Sequence, residues 1–316
     1  MGGTSDAKAA DPTTPVELVD ALNGVFGKQP HTRGSHAKGF CVSGKFTPAA
    51  DAASLSKAPQ FSKSVPLLGR FSMGGGNPKA ADNSKGGRGL ALRFDLGDGA
   101  ASDFVLLSVP VFIAKTPAQV VEFLKVRTPP EGADKPAPAA IEAFSKANPE
   151  TTRQAAWVKE HALPAGYAGT TYFGIHAFTL TNAAGEKKLV KLKAIPSDGE
   201  KGLSDDEAKA KGTDFYEADF KERLANGPAK FEFVAVLGKE GDQTSDPTLR
   251  WDGEDERPTA PARHHRDRRN RAQRDMRSDH LPAGQSAGGI AGSADDPIFA
   301  ARSGAYVVSF TRRKEP

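Results

Sequence analysis

Arg33-Gly34-Ser35-His36-Ala37-Lys38-Gly39 is the segment around which the rest of this chain is organised. After it, the apolar residues Phe40, Val42 and Phe46 alternate with smaller or polar ones. A period of two predicts a strand with one inward face, so we expect His36 at the start of a rigid element. A single histidine in such a place is commonly a hydrogen-bonded structural group. Both interpretations stay open on this segment alone.

A second segment, Arg302-Ser303-Gly304-Ala305-Tyr306, places an arginine four residues before a tyrosine near the other end of the chain. Residues four apart on a helix share a face, so the charge of Arg302 is expected beside the phenol of Tyr306. A phenol titrates near ~10 in water, and a neighbouring cation favours its anion.

Further sequence blocks lie in a fixed order along the chain. They are Arg70-Phe71-Ser72, Arg88 to Phe94, Val109-Pro110-Val111-Phe112, Asp246-Pro247-Thr248 with Trp251, and the positions Ser293 and Asp296. In these residues, their order and their spacing, the chain resembles the haem catalases, and more closely their short relatives, the catalase-related peroxidases. The resemblance extends over nearly the whole chain.

The expected fold class is α+β, with a closed antiparallel β-barrel and surrounding helices. Several strand-like segments interleaved with few helical ones favour this architecture, and the resemblance implies the same catalase-like core. Residues 1–316 are expected to form a single haem domain without the C-terminal extension of full catalases.

On one haem face, the resemblance implies that Tyr306 is the axial ligand of the iron of haem b. Arg302 would add positive charge beside the phenolate. Asp296 and His176 would form a charge chain behind Arg302. An equally open alternative for His176 is a strand histidine on a core face.

On the opposite face, the resemblance implies that His36 acts first as a general base and then as a general acid toward peroxide. Ser72 would orient the ring of His36, or it is an ordinary strand serine. Arg33 and Arg70 match the arginines that bind the haem propionates, since a buried carboxylate favours a bidentate cationic partner; the alternative is two surface arginines. Phe112 would pack against the macrocycle, although a core phenylalanine looks the same in sequence.

Two departures from full catalases bear on the activity. Full catalases carry an Asn-Asn pair before x-Pro, whereas this chain has Leu107-Ser108-Val109-Pro110, in which Ser108 is the nearest polar group. Ser35 replaces a usually apolar residue before the distal histidine. The chain also ends soon after Tyr306 and has a short N-terminal arm, so we expect the haem edge to be easier for an organic donor to reach.

These features predict a haem peroxidase that reduces H₂O₂ or organic hydroperoxides with electrons from small organic reductants and has weak catalase activity. The main alternative is a true catalase that converts H₂O₂ to O₂ and water. A haem enzyme that rearranges fatty-acid hydroperoxides, and a haem-binding or nucleic-acid-binding module without turnover, are further alternatives.

Composition limits the other classes of function. The one cysteine, Cys41, excludes an internal disulfide, and the longest apolar run, residues 104–114, is too short to span a bilayer. We therefore expect a cytoplasmic protein with no membrane partner. The further expectations are a homodimer, peroxide and small organic reductants as partners, and no nucleic-acid partner. The formal charge of +4 arises from residues 263–280, which hold seven arginines and three aspartates. A nucleic-acid function would have to lie in that segment.

Residues of about 253–286 do not fit the pattern of the rest of the chain. They show neither helical nor strand periodicity and are rich in arginine and histidine, whereas the family has ordered structure here. One hypothesis is that the reading frame slipped and was later restored. The alternative is a genuine solvated basic loop, and measurement of the intact mass distinguishes the two. His264 and His265 give no sufficient reason to predict a metal site.

Local signals place several other elements. Thr14-Pro15-Val16-Glu17 has the cap, proline and carboxylate of a helix start, and Thr116-Pro117 starts another helix. Residues 205–226 are predicted as one helix that ends at Gly227. Residues 170–180 and 188–195 are predicted as paired strands.

Overall fold

A computed structural model describes residues 13–261, 265–267 and 288–314. The capping boxes and proline starts in the sequence account for where several of its helices begin. In the first helix, the Thr14 hydroxyl accepts from the Glu17 amide, and the Glu17 carboxylate accepts in return from the Thr14 amide. The α-helices of the described residues are α1 (Pro15–Phe26), α2 (Pro117–Lys125), α3 (Pro138–Ala147), α4 (Arg153–Glu160), α5 (Asp205–Lys211), α6 (Tyr216–Ala225) and α7 (Pro297–Lys314).

The strands of the described residues form antiparallel pairs. They are β1 (Gly39–Phe46), β2 (Val65–Met73), β3 (Arg88–Gly97), β4 (Ala100–Leu107), β5 (Leu163–Pro164), β6 (Tyr172–Phe173), β7 (Phe178–Thr181), β8 (Lys187–Pro196), β9 (Gly202–Leu203), β10 (Lys230–Leu237), β11 (Thr259–Pro261), β12 (His265–Asp267) and β13 (Ile290–Gly292). The main sheet has the order β11-β10-β12-β1-β2-β3-β4-β6-β8-β7-β13, with an additional pairing of β10 with β8, while β5 and β9 pair separately.

The register of β1, β2 and β3 positions the residues that matter for the site. Gly39 in β1 pairs with Ser72 in β2, and Ser72 pairs with Gly89 in β3. A Cβ at Gly39 would lie 2.2 Å from the carbonyl oxygen of Phe71, so only glycine allows the two strands to approach this closely. Ser72 therefore lies between two residues that have no side chain.

Two apolar clusters stabilise the described fold. The larger contains many of the buried aromatic residues of the sheet, among them Phe71, whose ring stacks on Tyr167 with centroids 5.2 Å apart. The smaller lies where α1, α2 and α7 pack together, around Leu18, Val121 and Ile298. The helices thus place an apolar surface opposite one face of the sheet.

The prediction of an α+β fold that combines an antiparallel sheet with helices is confirmed. Closure of the sheet into a barrel is not established by the strand order and stays a prediction. Of the helices within the described residues, none is long and apolar enough to cross a bilayer. Most of the atypical segment at about 253–286 lies outside the described residues, including His264, and no side chain is described for His265.

Candidate active site

A cavity of about 290 Å³ lies between the sheet and the helices α1, α2 and α7. Aliphatic side chains of the helices, such as Leu18, Val120 and Ile298, make much of its wall apolar. The cavity also brings together eight of the side chains singled out from the sequence. They are Arg33, His36, Arg70, Ser72, Phe112, His176, Arg302 and Tyr306.

His36 precedes β1 and has a positive φ of 55°, which is uncommon for a residue with a side chain. Backbone hydrogen bonds hold the segment in place: the Ala37 amide donates to the Gly75 carbonyl, and the Met73 amide donates to the Lys38 carbonyl. The ring atom Nδ1 of His36 lies 3.0 Å from the Ser72 hydroxyl oxygen. This contact leaves Nε2 as the ring nitrogen without a partner among the described residues.

Gly89 determines the space that His36 and Ser72 share. A Cβ at this position would lie 2.8 Å from Nδ1 of His36 and 2.8 Å from the hydroxyl oxygen of Ser72. Real Cβ atoms essentially never show such contacts. Gly89 belongs to the quoted block from Arg88 to Phe94. Its role could not be predicted from the sequence, because it depends on the contact of Gly89 with His36 and Ser72, which belong to other segments of the chain.

The environment of His36 favours its neutral form. Burial is the largest of the causes that lower the pKa of His36 from 6.5 to about 4. The positive charges of Arg70, Arg302 and Arg33 lower it further. A neutral imidazole can accept a proton, so His36 has the protonation state that a general base needs.

On α7, the guanidinium of Arg302 donates to the phenol oxygen of Tyr306 across 3.3 Å. The helix begins just after Asp296, whose carboxylate accepts from the Phe299 amide at 2.9 Å. The other carboxylate oxygen of Asp296 lies 2.6 Å from Nδ1 of His176, and both side chains are buried. Burial lowers the pKa of His176, and the hydrogen bond with Asp296 opposes this shift.

The structural alternative for His176 was a histidine within a strand. His176 does not lie within a regular strand. It lies in the interruption between β6 and β7 and lines the cavity. The Asp296–His176 part of the expected chain of charged groups is present, but Nε2 of His176 is buried without a hydrogen-bond partner among the described residues, so no hydrogen bond joins His176 to Arg302. The functional role of this chain of groups stays a prediction.

Three guanidinium groups, those of Arg33, Arg70 and Arg313, form what we call the arginine wall of the cavity. None of them has a carboxylate partner among the described residues, and Nε of Arg313 is buried without a hydrogen-bond partner there. Burial, and then the charge of Arg33, lower the pKa of Arg313 and of Arg70 to about 10. Arg70 is buried and Arg33 and Arg313 are half-buried. Cations placed together in this way favour anionic partners, so the wall suits a ligand that carries carboxylates.

Arg313 was not among the residues picked out from the sequence. It lies seven positions after Tyr306, which is close to two helical turns, so both residues face the same side of α7. This spacing could have indicated Arg313 once the helix had been predicted.

Ser108 is not brought to the cavity. Its hydroxyl accepts from the Arg88 amide at 2.9 Å, and its own amide donates to the Arg88 carbonyl at 2.8 Å. These bonds make Ser108 a structural residue at the end of β4, so the catalytic role expected for it lacks geometric support. No asparagine or glutamine lines the cavity within the described residues. Phe112, by contrast, lies in the cavity wall.

These residues fit haem. The walls are apolar, a phenol with a cation beside it and a neutral imidazole line the same space, and the arginine wall matches a carboxylate-bearing ligand. Tyrosinate is a known axial ligand of haem iron, and buried carboxylates are held well by guanidinium groups.

Comparison with known proteins gives the same family. The sequence profile of the Catalase family matches residues 16–246. A catalase-related peroxidase of Synechococcus elongatus is 38% identical over 244 residues, which is 77% of this chain and 72% of the relative. A catalase-related peroxidase of Mycolicibacterium paratuberculosis is 36% identical over 240 residues, 75% of each chain.

Solved structures share the fold. A bacterial catalase aligns with 99% of this chain with a TM-score of 0.79 and 22% identity, and catalase A of Saccharomyces cerevisiae aligns with 95% at a TM-score of 0.81 and 21% identity. This chain covers 63% and 64% of those two structures, somewhat under two thirds of their length. The prediction from the sequence motifs is confirmed: the chain belongs to the catalase family of haem enzymes.

Proposed function

We propose that this member of the catalase family is a haem b peroxidase that reduces H₂O₂ or organic hydroperoxides with electrons from small organic reductants. One observation carries the proposal. The His36–Ser72 pair, the Arg302–Tyr306 pair and the arginine wall all line a single cavity with apolar walls.

When bound, haem would supply a redox-active iron that exchanges electrons with peroxide and with the reductant. Tyr306 is the residue that would ligate this iron, and the arginine wall would hold the carboxylates. Arg302 donates a hydrogen bond to the Tyr306 oxygen and places a positive charge beside it. The pair of His176 and Asp296 supports the start of α7 behind it.

His36 carries the proton transfer. Its neutral ring accepts a proton from one peroxide oxygen through Nε2 and returns it to the other, so that the departing group leaves as water or an alcohol. Ser72 holds the ring through Nδ1 at 3.0 Å, and Gly89 leaves room for that contact. A positioned acid–base group of this kind contributes about 10² to 10⁴ in rate.

The choice of peroxidase over catalase is supported by the names of the two relatives at 36% and 38% identity. It is also supported by the lack of an amide side chain in the described cavity lining. A true catalase is the alternative, favoured by the fold shared with the solved catalases.

Two measurements on one purified preparation test the proposal. A Soret band that changes on addition of peroxide is expected, and its absence would refute a haem peroxidase. Oxidation of an added dye should exceed O₂ release from H₂O₂. Fast O₂ release with negligible dye turnover would instead establish the catalase alternative.

The sequence predictions about the whole chain remain proposals. Pairing of β10 with both β8 and β12, and of β12 with β1, supports a closed barrel. The shared core from Phe40 to Ile290 supports one domain. The homodimer, the cytoplasmic location and the lack of a nucleic-acid partner stay predictions.

A further inference from the structure

A second cavity, of about 300 Å³, lies next to the first. The arginine wall lines both cavities and therefore separates them. The remaining wall of the second cavity includes Thr32, Lys38 and Pro78 on one side and Glu217 on α6. Neither the motifs nor the mechanism proposed above uses this space.

The carboxylates that line the second cavity already have ion-pair or hydrogen-bond partners. The Asp82 carboxylate lies 2.7 Å from the Lys38 ammonium and also accepts from the backbone amides that begin α6. Asp214 lies 3.0 Å from the same ammonium, and Glu217 lies 2.8 Å from Lys221. Asp82 and Asp214 share the single charge of Lys38, so these three groups together are negative by one unit. The three cations of the arginine wall, which have no carboxylate partner among the described residues, exceed this, so the unbalanced charge that faces the cavity is positive.

The cavity wall also offers little aromatic surface. The rings of Phe40, Tyr167 and Tyr216 border the cavity but are only 5%, 2% and 1% exposed, because they pack against one another and the core. A large aromatic donor would find no ring face on which to stack. A small ligand rich in oxygen atoms would find the guanidinium donors of the arginine wall. The Lys38 ammonium already donates to Asp82, Asp214 and the Ala80 carbonyl, and the Thr32 hydroxyl donates to the Gln29 carbonyl.

We propose that this second cavity binds the reducing co-substrate and that this co-substrate is a small, hydrophilic monoanion of the enediol class. The proposal rests on the peroxidase function proposed above. A guanidinium group has five donors in a planar fork, so one arginine can hold a carboxylate on one side and an enediolate oxygen on the other. Two carboxylates from haem would engage two of the three guanidinium groups of the wall and leave the third to donate to the anionic co-substrate.

The reaction balances with two donor molecules per peroxide. Each enediolate loses one electron and one proton and leaves as a radical anion. The two electrons and two protons, together with the peroxide, give one alcohol and one water, or two waters from H₂O₂. The oxidant is the peroxide of the proposed function.

Glu217→Lys tests the charge of the ligand, because it places two additional units of positive charge at the wall of the cavity. With ascorbate as the probe, we expect the KM to fall on the order of three- to ten-fold at low salt, and the gain to shrink as salt is added. Glu222→Lys makes the same charge change on an exposed position of α6 that does not line the cavity, and its KM for ascorbate should match that of the unmodified protein.

Pro78→Trp tests the location by narrowing the cavity from a loop, and should raise the KM for ascorbate by about ten-fold or more. Calorimetric titration of ascorbate into the haem-loaded protein without peroxide gives a readout that does not depend on turnover, and its Kd should shift in the same direction for each variant. An unchanged Kd and KM in both Glu217→Lys and Pro78→Trp would overturn this inference alone. A protein that does not react with peroxide at all would instead refute the proposed function.

Discussion

Replacing Gly89 with alanine should impair proton transfer by His36 while leaving the rest of the cavity in place. The added Cβ would lie 2.8 Å from both Nδ1 of His36 and the Ser72 hydroxyl oxygen, whereas ordinary contact begins at 3.4 Å. At least one of the two side chains must therefore retreat by roughly half an ångström or more. The hydrogen bond between them, now 3.0 Å long, then cannot persist.

The expected loss of stability and of reaction rate follows from the displacement of the His36 or Ser72 side chain. Overpacking of this kind costs about 1–3 kcal/mol of stability, and a catalytic group misplaced by about 1 Å loses on the order of 10² in rate. Ser72→Ala removes the same hydrogen bond without the steric contact, so its loss should be smaller, about 0.5–1.5 kcal/mol or roughly 2- to 13-fold. Gly89→Ala is thus expected to be the more damaging of the two.

The assay is the stopped-flow rate of the Soret change after peroxide is mixed with the haem-loaded protein. Gly87→Ala is the matched control, because the nearest atom to a Cβ there is a methyl carbon of Val109 at 3.8 Å. Imidazole nitrogen shifts of His36 in the haem-free protein report whether Nδ1 has lost its partner. If folded Gly89→Ala protein reacts within threefold of the control, the claim that Gly89 positions His36 is wrong.

The peroxide reaction should keep its rate as the pH falls through 6.5 and lose it between that value and about 4, because the neutral ring is the base and its pKa, lowered to about 4 without haem, should rise only part of the way back when haem binds; an acid limb at 6.5 in the stopped-flow rates would contradict this. Arg313→Met should weaken haem binding by about 10-fold or more, since it removes a charge-assisted hydrogen bond to a carboxylate; transfer of haem to an apo-globin measures this, and Arg312→Met, at a surface ion pair, should change nothing. Asp296→Asn should lower the free energy of unfolding by about 1–3 kcal/mol by weakening the buried bond to His176. Urea denaturation checks this, and an unchanged midpoint would show that the contact contributes no stability.

The helix starts could be predicted because their causes are local. Thr14 and Thr116 cap α1 and α2 through the amides three residues later, as the motifs indicated. Residues 205–226 behaved differently, since the predicted single helix is divided into α5 and α6. Gly212 has a φ of 79° after α5, and the Asp82 carboxylate, from a distant loop, accepts from the two amides at the start of α6. No sequence pattern near the start of α6 could predict this cap, because Asp82 is distant in sequence.

The predicted strand at residues 170–180 is also interrupted for a tertiary reason. The Gly174 amide donates to the Leu192 carbonyl at 2.6 Å, and two residues later His176 bonds to Asp296 from beyond the sheet. The paired strand was placed correctly, because alternation over β8 is strong and local. Residues that leave a strand in order to line a cavity cannot be recognised from alternation alone.

For the site, the resemblance to the catalase family predicted which residues are involved, and the structure showed which of them lie in contact. Ser108 was chosen because it is the nearest polar residue in sequence, yet its hydroxyl is used by the backbone of Arg88. Gly89 and Arg313 were missed because their importance depends on neighbours from other segments. The second cavity was missed for the same reason, since its walls come from five separate parts of the chain.

The arginine wall connects binding to catalysis. The charges that suit it to carboxylates also lie close enough to His36 to lower the pKa of the ring, after burial, which is the largest cause. Carboxylates bound at the wall would cancel part of the effect of Arg70 and Arg33, so the pKa of His36 should rise when haem binds. Because burial remains and Arg302 is not part of the wall, the rise should stop short of 6.5. The base would then be neutral both before and after the cofactor is bound, which is the condition for His36 to accept a proton from peroxide at neutral pH.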